Sequence, residues 1–291
     1  MSRVKLVAAI AFAAAVAIGT RIDSTRPVPP VRHPGIMVAD LHVHPYPGDG
    51  ALPVSELQRE ARRRGLDLIA VTAHNNRLGL KLGAVMPLDP DGPIIVSGQE
   101  ITTPTFHMVA VGIDRGIDWR LSARDAIAAI HAQGGVAIAA HPVRRSWRDN
   151  DPSALSALDG AEVAHPSNRR TYSAGRDEFL QFFDRVRSVN PGVAPIGSSD
   201  FHMTAPLGLC RTYLLVNERS AAGALDAIRQ GRTVAADPHG RLFGAPEHIA
   251  MVEAFRAATG PVPAVPGLDR LVALAALIAL GAAALPRSSY R

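Results

Sequence analysis

Six of the eleven histidines in this chain stand at the edges of short apolar runs with carboxylates close by, a pattern suited to chelating cations. In Asp40-Leu41-His42-Val43-His44 the histidines alternate with apolar residues, so on a strand both imidazoles face one side. Asp40 has the same parity and could orient a ligand from behind. His74 follows the apolar run 66–72, Glu100 follows Ile94-Ile95-Val96, and His107 opens His107-Met108-Val109-Ala110-Val111. His141 stands in Ala139-Ala140-His141-Pro142, while Asp200 and His202 follow the run 193–196 and again share parity. Each alone reads as a polar group satisfied by local hydrogen bonds. Convergence on one site is the simpler account of all of them together.

Cys210 is the single cysteine, which excludes an intramolecular disulfide and a multi-cysteine zinc site. Nitrogen and oxygen ligands without thiolate suit zinc, manganese or iron, and a carboxylate such as Glu100 could bridge two ions. So many ligands imply more than one cation. Two metals about 3.5–4 Å apart activate a water and stabilise attacking and leaving oxygens, as phosphate-ester hydrolysis requires.

The elements that must position these groups alternate between β-rich apolar runs and segments of helical period, the pattern of an α/β protein with a mostly parallel sheet. Strands are expected at 36–41, 66–72, 94–97, 107–113, 136–140, 160–164, 193–196 and 212–216. Helices are expected at 55–64, 122–133, 177–189 and 220–230, where apolar residues recur every three or four positions. That number of units suggests a closed or nearly closed barrel, in which chemistry gathers at the C-terminal ends of the strands.

The ends of the chain differ from the middle. Residues 1–20 carry Arg3 and Lys5 ahead of an Ala-rich apolar run, which reads as a signal peptide or short anchor. Residues 21–34 form a Pro-rich linker, 35–244 the catalytic unit, 245–270 a second linker, and 271–286 an apolar membrane tail. Basic residues outside both apolar runs suggest an exported, membrane-associated protein whose middle lies outside the cytoplasm.

The formal charge of +5 does not concentrate on one groove. Arg62-Arg63-Arg64 follows a helical pattern and reads as a solvated face, and no aromatic residues interleave the basic groups as a single-strand-binding channel would require. No nucleic-acid partner is expected.

Taken in order, Asp40-Leu41-His42-Val43-His44, Gly48-Asp49-Gly50, Thr72-Ala73-His74-Asn75, Gly98-Gln99-Glu100, His107, His141-Pro142 and Ser199-Asp200-Phe201-His202 resemble the PHP (polymerase and histidinol phosphatase) superfamily of metallohydrolases. The resemblance implies a distorted (β/α)7-type barrel holding two or three divalent metals. It implies one ion on His42, His44, Glu100 and Asp200, a second on Glu100, His107 and His141, and a third on Asp49, His74 and His202. Relatives commonly carry Asp where this chain has Ala73, which would remove a carboxylate that orients His74. The stretch from Gly197 to His202 with Pro206-Leu207-Gly208-Leu209-Cys210-Arg211-Thr212-Tyr213 also resembles the branch that includes carbaryl-type ester and carbamate hydrolases.

The leading expectation is a phosphoesterase acting on a small anionic ester, in which metal-bound hydroxide attacks phosphorus in line and Arg144, Arg145, Arg169 or Arg170 clamps the phosphate. An ester or carbamate hydrolase would use the same metals on a carbonyl. An exported metal-binding or sensor domain without turnover is the remaining alternative, motivated by Ala73.

Overall fold

A computed structural model describes residues 3–24, 33–77, 81, 88–143, 147, 151–167, 178–202, 205–260, 275–276, 278–279 and 281–282. The chain divides into two compact units. One comprises Met1–Val28 and Pro263–Arg291, the other Pro29–Val262.

In the first unit, helix α1 (Arg3–Ser24) contains the apolar run of residues 1–20 and continues into the segment expected to be a linker. The rest of that linker, 25–32, lies outside the described residues, as does most of the apolar run 271–286. Among the described residues no helix is long and apolar enough to cross a membrane.

The second unit is built in chain order from β1 (Ile36–Val43), α2 (Val54–Arg63), β2 (Leu68–Val71), β3 (Ile94–Thr102), β4 (His107–Val111), α3 (Ala123–His131), β5 (Val136–Ala139), α4 (Pro152–Leu155), β6 (Gly160–Ala164), α5 (Glu178–Val189), β7 (Ala194–Gly197), β8 (Arg211–Leu215), α6 (Ala221–Arg229), β9 (Thr233–Ala236), β10 (Leu242–Gly244) and α7 (Pro246–Thr259). All eight expected strands and all four expected helices form, within a few residues of their expected bounds. Ser122 and Ser220 start α3 and α6 by accepting the amides of Asp125 and Gly223 on their hydroxyls. The segment 245–270 is not a plain linker. Residues 246–259 form α7, which buries Val252 in the cluster that contains Ile36, Val38, Val234 and Ala236.

The strands form one sheet in the order β10-β9-β8-β1-β2-β3-β4-β5-β6-β7. It is more mixed than the expected parallel sheet: β1–β2, β2–β3, β5–β6 and β6–β7 are parallel, while β1–β8, β3–β4, β4–β5, β8–β9 and β9–β10 are antiparallel. Only Thr103 to Phe106 separate β3 from β4, too short a link for a parallel crossover. The hydroxyl of Thr103 ties that turn by accepting the amides of Thr105 and Phe106.

The sheet curls until its far strands meet. Thr212 Oγ1 on β8 accepts the amide of Gly197 at 2.9 Å and donates to its carbonyl at 2.8 Å, and Thr233 Oγ1 on β9 donates to Pro195 O at 2.9 Å. Gly197 permits this approach, since a Cβ there would lie 2.4 Å from Arg211 O. One buried cluster accordingly collects Met37, Leu68, Val96, Val109, Ile138, Ile196 and Leu214 from seven strands, which only a strongly curled sheet can do. The result is a nearly closed, distorted α/β barrel.

Candidate metal centre

Strand β1 is buried along its whole length, so its polar residues are held in the interior and need partners. Four atoms define the middle of the site. His42 Nε2 and His44 Nε2 lie 3.1 Å apart, with Glu100 Oε2 3.3 Å from each and Asp200 Oδ1 at 3.2 and 3.1 Å. A regular tetrahedron with edges of that size has its centre about 2.0 Å from each corner, the distance at which zinc-like ions bind nitrogen and oxygen.

Glu100 Oε2 and Asp200 Oδ1 are buried among imidazole nitrogens, the nearest being His74 Nδ1 at 2.8 Å from Glu100 Oε2, yet none is aligned to donate a hydrogen bond to either oxygen. A buried carboxylate oxygen left so is costly, and a cation at the centre would satisfy both at once. The donor set therefore fits a divalent metal.

The other oxygen of Glu100 faces a second group, His107 Nδ1 at 2.9 Å and His141 Nε2 at 3.1 Å. A third group lies toward solvent around the half-exposed Asp49, whose Oδ2 is 3.1 Å from both His74 Nε2 and His202 Nε2 and whose Oδ1 is 3.2 Å from His44 Nδ1. All nine residues expected to bind metal thus come together, in three groups joined through Glu100 and His44. Arg144, Arg145, Arg169 and Arg170 lie outside the described residues. Of the arginine triplet, Arg62 pairs with Asp89 and Arg63 with Glu60, but Arg64 is buried and donates to Leu207 O, so the expected solvated face ends before it.

Local backbone explains the convergence. The carbonyl of Phe201 accepts the amide of His44, and His202 O accepts that of Ala51, which zips the Asp200 segment onto the end of β1. Asp200, His141 and Asn75 have positive φ, a conformation uncommon outside glycine that clusters at functional sites. Asp49 is turned inward by Gly48 and Gly50. A Cβ on Gly50 would stand 1.8 Å from His44 O.

Two expectations about supporting residues change. Asp40 supports the site through backbone and hydroxyl groups: it accepts the amides of His42, Ser199 and Gly208 and the hydroxyl of Ser199. It secures the loop that carries Asp200. Burial raises its carboxyl pKa, and those hydrogen bonds offset only part of the shift. Beside Ala73, His74 Nδ1 lies 2.6 Å from the hydroxyl of Thr102 and 2.8 Å from Glu100 Oε2, while Asn75 clasps the backbone N and O of Thr102.

Glu162 and His165 complete the centre and were not expected from sequence. Glu162, fully buried, places Oε1 2.9 Å from His42 Nδ1 and accepts the hydroxyl of Ser198 and the amide of His141. His165 lies 3.4 Å from Asp200 Oδ2. The available signal was Ala164-His165-Pro166, a strand-end His-Pro like Ala140-His141-Pro142.

The electrostatics are those of a cation site. Burial raises the carboxyl pKa of Glu162, but its neighbours, His42 foremost, pull it down to about 2. Burial likewise works against ionised Glu100 and Asp200, and the surrounding imidazoles, His42 foremost, hold both well below the usual carboxylate range. For His42 burial favours the neutral ring, but Asp200, Glu100 and Glu162 outweigh it and raise its pKa well above the ordinary value.

Solved structures of low sequence identity share this barrel fold. A two-domain protein from Bacteroides vulgatus containing a predicted PHP-like metal-dependent phosphoesterase superposes with a TM-score of 0.59 at 20% identity, covering 77% of this chain and 72% of that one. PsfC from Pseudomonas syringae superposes with a TM-score of 0.52 at 16% identity over 77% of this chain and 99% of its own. No family model matches the chain. The uncharacterized protein MJ1587 of Methanocaldococcus jannaschii is 33% identical over 147 residues, 46% of this chain and 84% of that protein, and the chain belongs to its family.

Proposed function

We propose that this chain is a metal-dependent hydrolase of phosphate esters. The observation that carries the reading is the buried tetrahedron of His42, His44, Glu100 and Asp200 with its two carboxylate oxygens that accept no hydrogen bond. His42, His44, Glu100 and Asp200 would hold one divalent cation, Glu100 with His107 and His141 a second, and Asp49 with His74 and His202 a third. Zinc, manganese or iron suits these donors. Such ions supply Lewis acidity to a water and neutralise charge on phosphoryl oxygens.

The protein's own part is placement. Glu162 and Thr102 orient the rings of His42 and His74, Asp40 fixes the Asp200 loop, and the half-exposed outer group leaves one face open to a small anionic ester. The phosphoesterase domain of the Bacteroides vulgatus protein supports this substrate class. Arg144, Arg145, Arg169 and Arg170 are proposed anion clamps. The apolar run within α1 supports reading residues 1–20 as an export segment, which would place hydrolysis outside the cytoplasm.

Purified protein loaded with zinc, manganese or iron should cleave nitrophenyl phosphate. Cleavage of nitrophenyl acetate or naphthyl carbamates with nitrophenyl phosphate left intact would assign a carbonyl substrate instead, and bound metal with no turnover on either would assign a sensor.

A further inference from the structure

Asp200 offers its two oxygens to different neighbours. Oδ1 belongs to the tetrahedron, whereas Oδ2 faces His165 Nε2 at 3.4 Å. The ring of His165 is buried and stacked on Phe179, with centroids 5.8 Å apart. Its Nδ1 accepts the backbone amide of Ser167 at 3.2 Å, and Ser167 Oγ lies 2.8 Å away. A backbone N–H can only donate, so the lone pair of Nδ1 is committed and the ring hydrogen resides on Nε2. That Nε2 is buried and makes no hydrogen bond. The carboxylates within reach are Asp200 at 3.4 Å and Glu162 Oε2 at 3.9 Å, and the latter oxygen already accepts the amide of His141 at 2.5 Å.

We infer that His165 is a positioning residue that holds Oδ2 of Asp200 away from the cation, keeps that carboxylate monodentate, and so biases the inner site toward a four-coordinate ion such as zinc over a six-coordinate ion such as manganese. Among the described residues no other histidine, lysine or arginine nitrogen lies within 4.0 Å of Oδ2. Without a donor there, both oxygens are free to turn onto one cation, which raises its coordination number and relaxes the choice of metal. The inference rests on the inner cluster holding a cation, as proposed above.

Cobalt(II) reports coordination number directly, because four-coordinate cobalt absorbs visible light far more strongly than six-coordinate cobalt. Metal-free full-length protein, His165→Gln and His165→Phe would each be titrated with cobalt, and zinc and manganese affinities measured by chelator competition. Gln keeps an N–H donor, while Phe keeps the stacking on Phe179 without one. Wild type and His165→Gln should give the intense spectrum. His165→Phe should lose intensity and lower its zinc-over-manganese preference about 10–100-fold, as loss of an outer partner of a ligand does. An unchanged spectrum and metal preference in a folded His165→Phe would overturn the inference and leave the metal site standing. Failure of wild type to bind cobalt would overturn both.

Discussion

Glu162 Oε1 lies 2.9 Å from His42 Nδ1, and this pairing turns Nε2 of the same ring toward Glu100 and Asp200. With the hydrogen of His42 committed to Glu162, the opposite nitrogen presents a lone pair to the centre of the tetrahedron. Replacing Glu162 by Gln leaves the shape and removes the charge. Inner-site metal affinity should fall about 10–100-fold, measured by competition with a chromogenic chelator. An unchanged affinity would show that Glu162 does not orient His42.

Removal of metal should weaken the fold, because it leaves Glu100 Oε2 and Asp200 Oδ1, both buried, facing protonated imidazoles with no cation between them. Cation at a thousandfold excess over its dissociation constant should add about 4 kcal/mol to the free energy of unfolding. Thermal unfolding with and without chelator measures this, and identical midpoints would contradict it.

Acidification should release the metal. In the metal-free site the pKa of His42 is raised, so the folded protein retains a proton on this ring above the ordinary histidine range. A ligand nitrogen must be bare, so cation binding expels that proton and affinity climbs with pH until the ring is deprotonated without help. Calorimetry in buffers of different ionisation enthalpy should record proton release near neutrality. Binding heats independent of the buffer would contradict the coupling.

Gly50→Ala should be among the most damaging small changes in the chain. Its methyl group would stand 1.8 Å from His44 O, forcing the Gly48-Asp49-Gly50 turn away from the third group. Overpacking of this kind costs about 1–3 kcal/mol, and the outer cation should bind more weakly. Differential scanning calorimetry with a metal titration tests both effects, and a wild-type profile in each would show that the turn has room to shift.

The parts of this centre legible in the sequence are those in which polarity interrupts a strong apolar pattern. His42 and His44 stand out because they alternate with the apolar Leu41 and Val43 at the end of the buried β1, and Asp200 because it follows the apolar end of β7. Glu162 was hidden: in Gly160-Ala161-Glu162-Val163-Ala164 a single carboxylate in a short strand has the alternation of a solvent-facing side chain, yet here it points into the centre. His165 carried the same strand-end His-Pro signal as His141 and was legible in principle. Strand direction was less so, because apolar runs look alike whichever way they pair, and the short link that rules out a parallel crossover appeared only once β3 was seen to run on to Thr102. Strands β9 and β10 escaped notice because Thr233-Val234-Ala235-Ala236 and Leu242-Phe243-Gly244 are too short for periodicity to register. Helix α7 buries only Val252 fully, so little amphipathic pattern marked it.

The most direct test of the account is an element-resolved metal count on the full chain after loading with excess zinc or manganese and removal of free ion, run beside Asp200→Ala with circular dichroism as the folding control. The account predicts two or three bound divalent cations per wild-type chain, distributed over the joined groups, and fewer in the folded variant. A folded wild-type chain that retains well under one cation would contradict it.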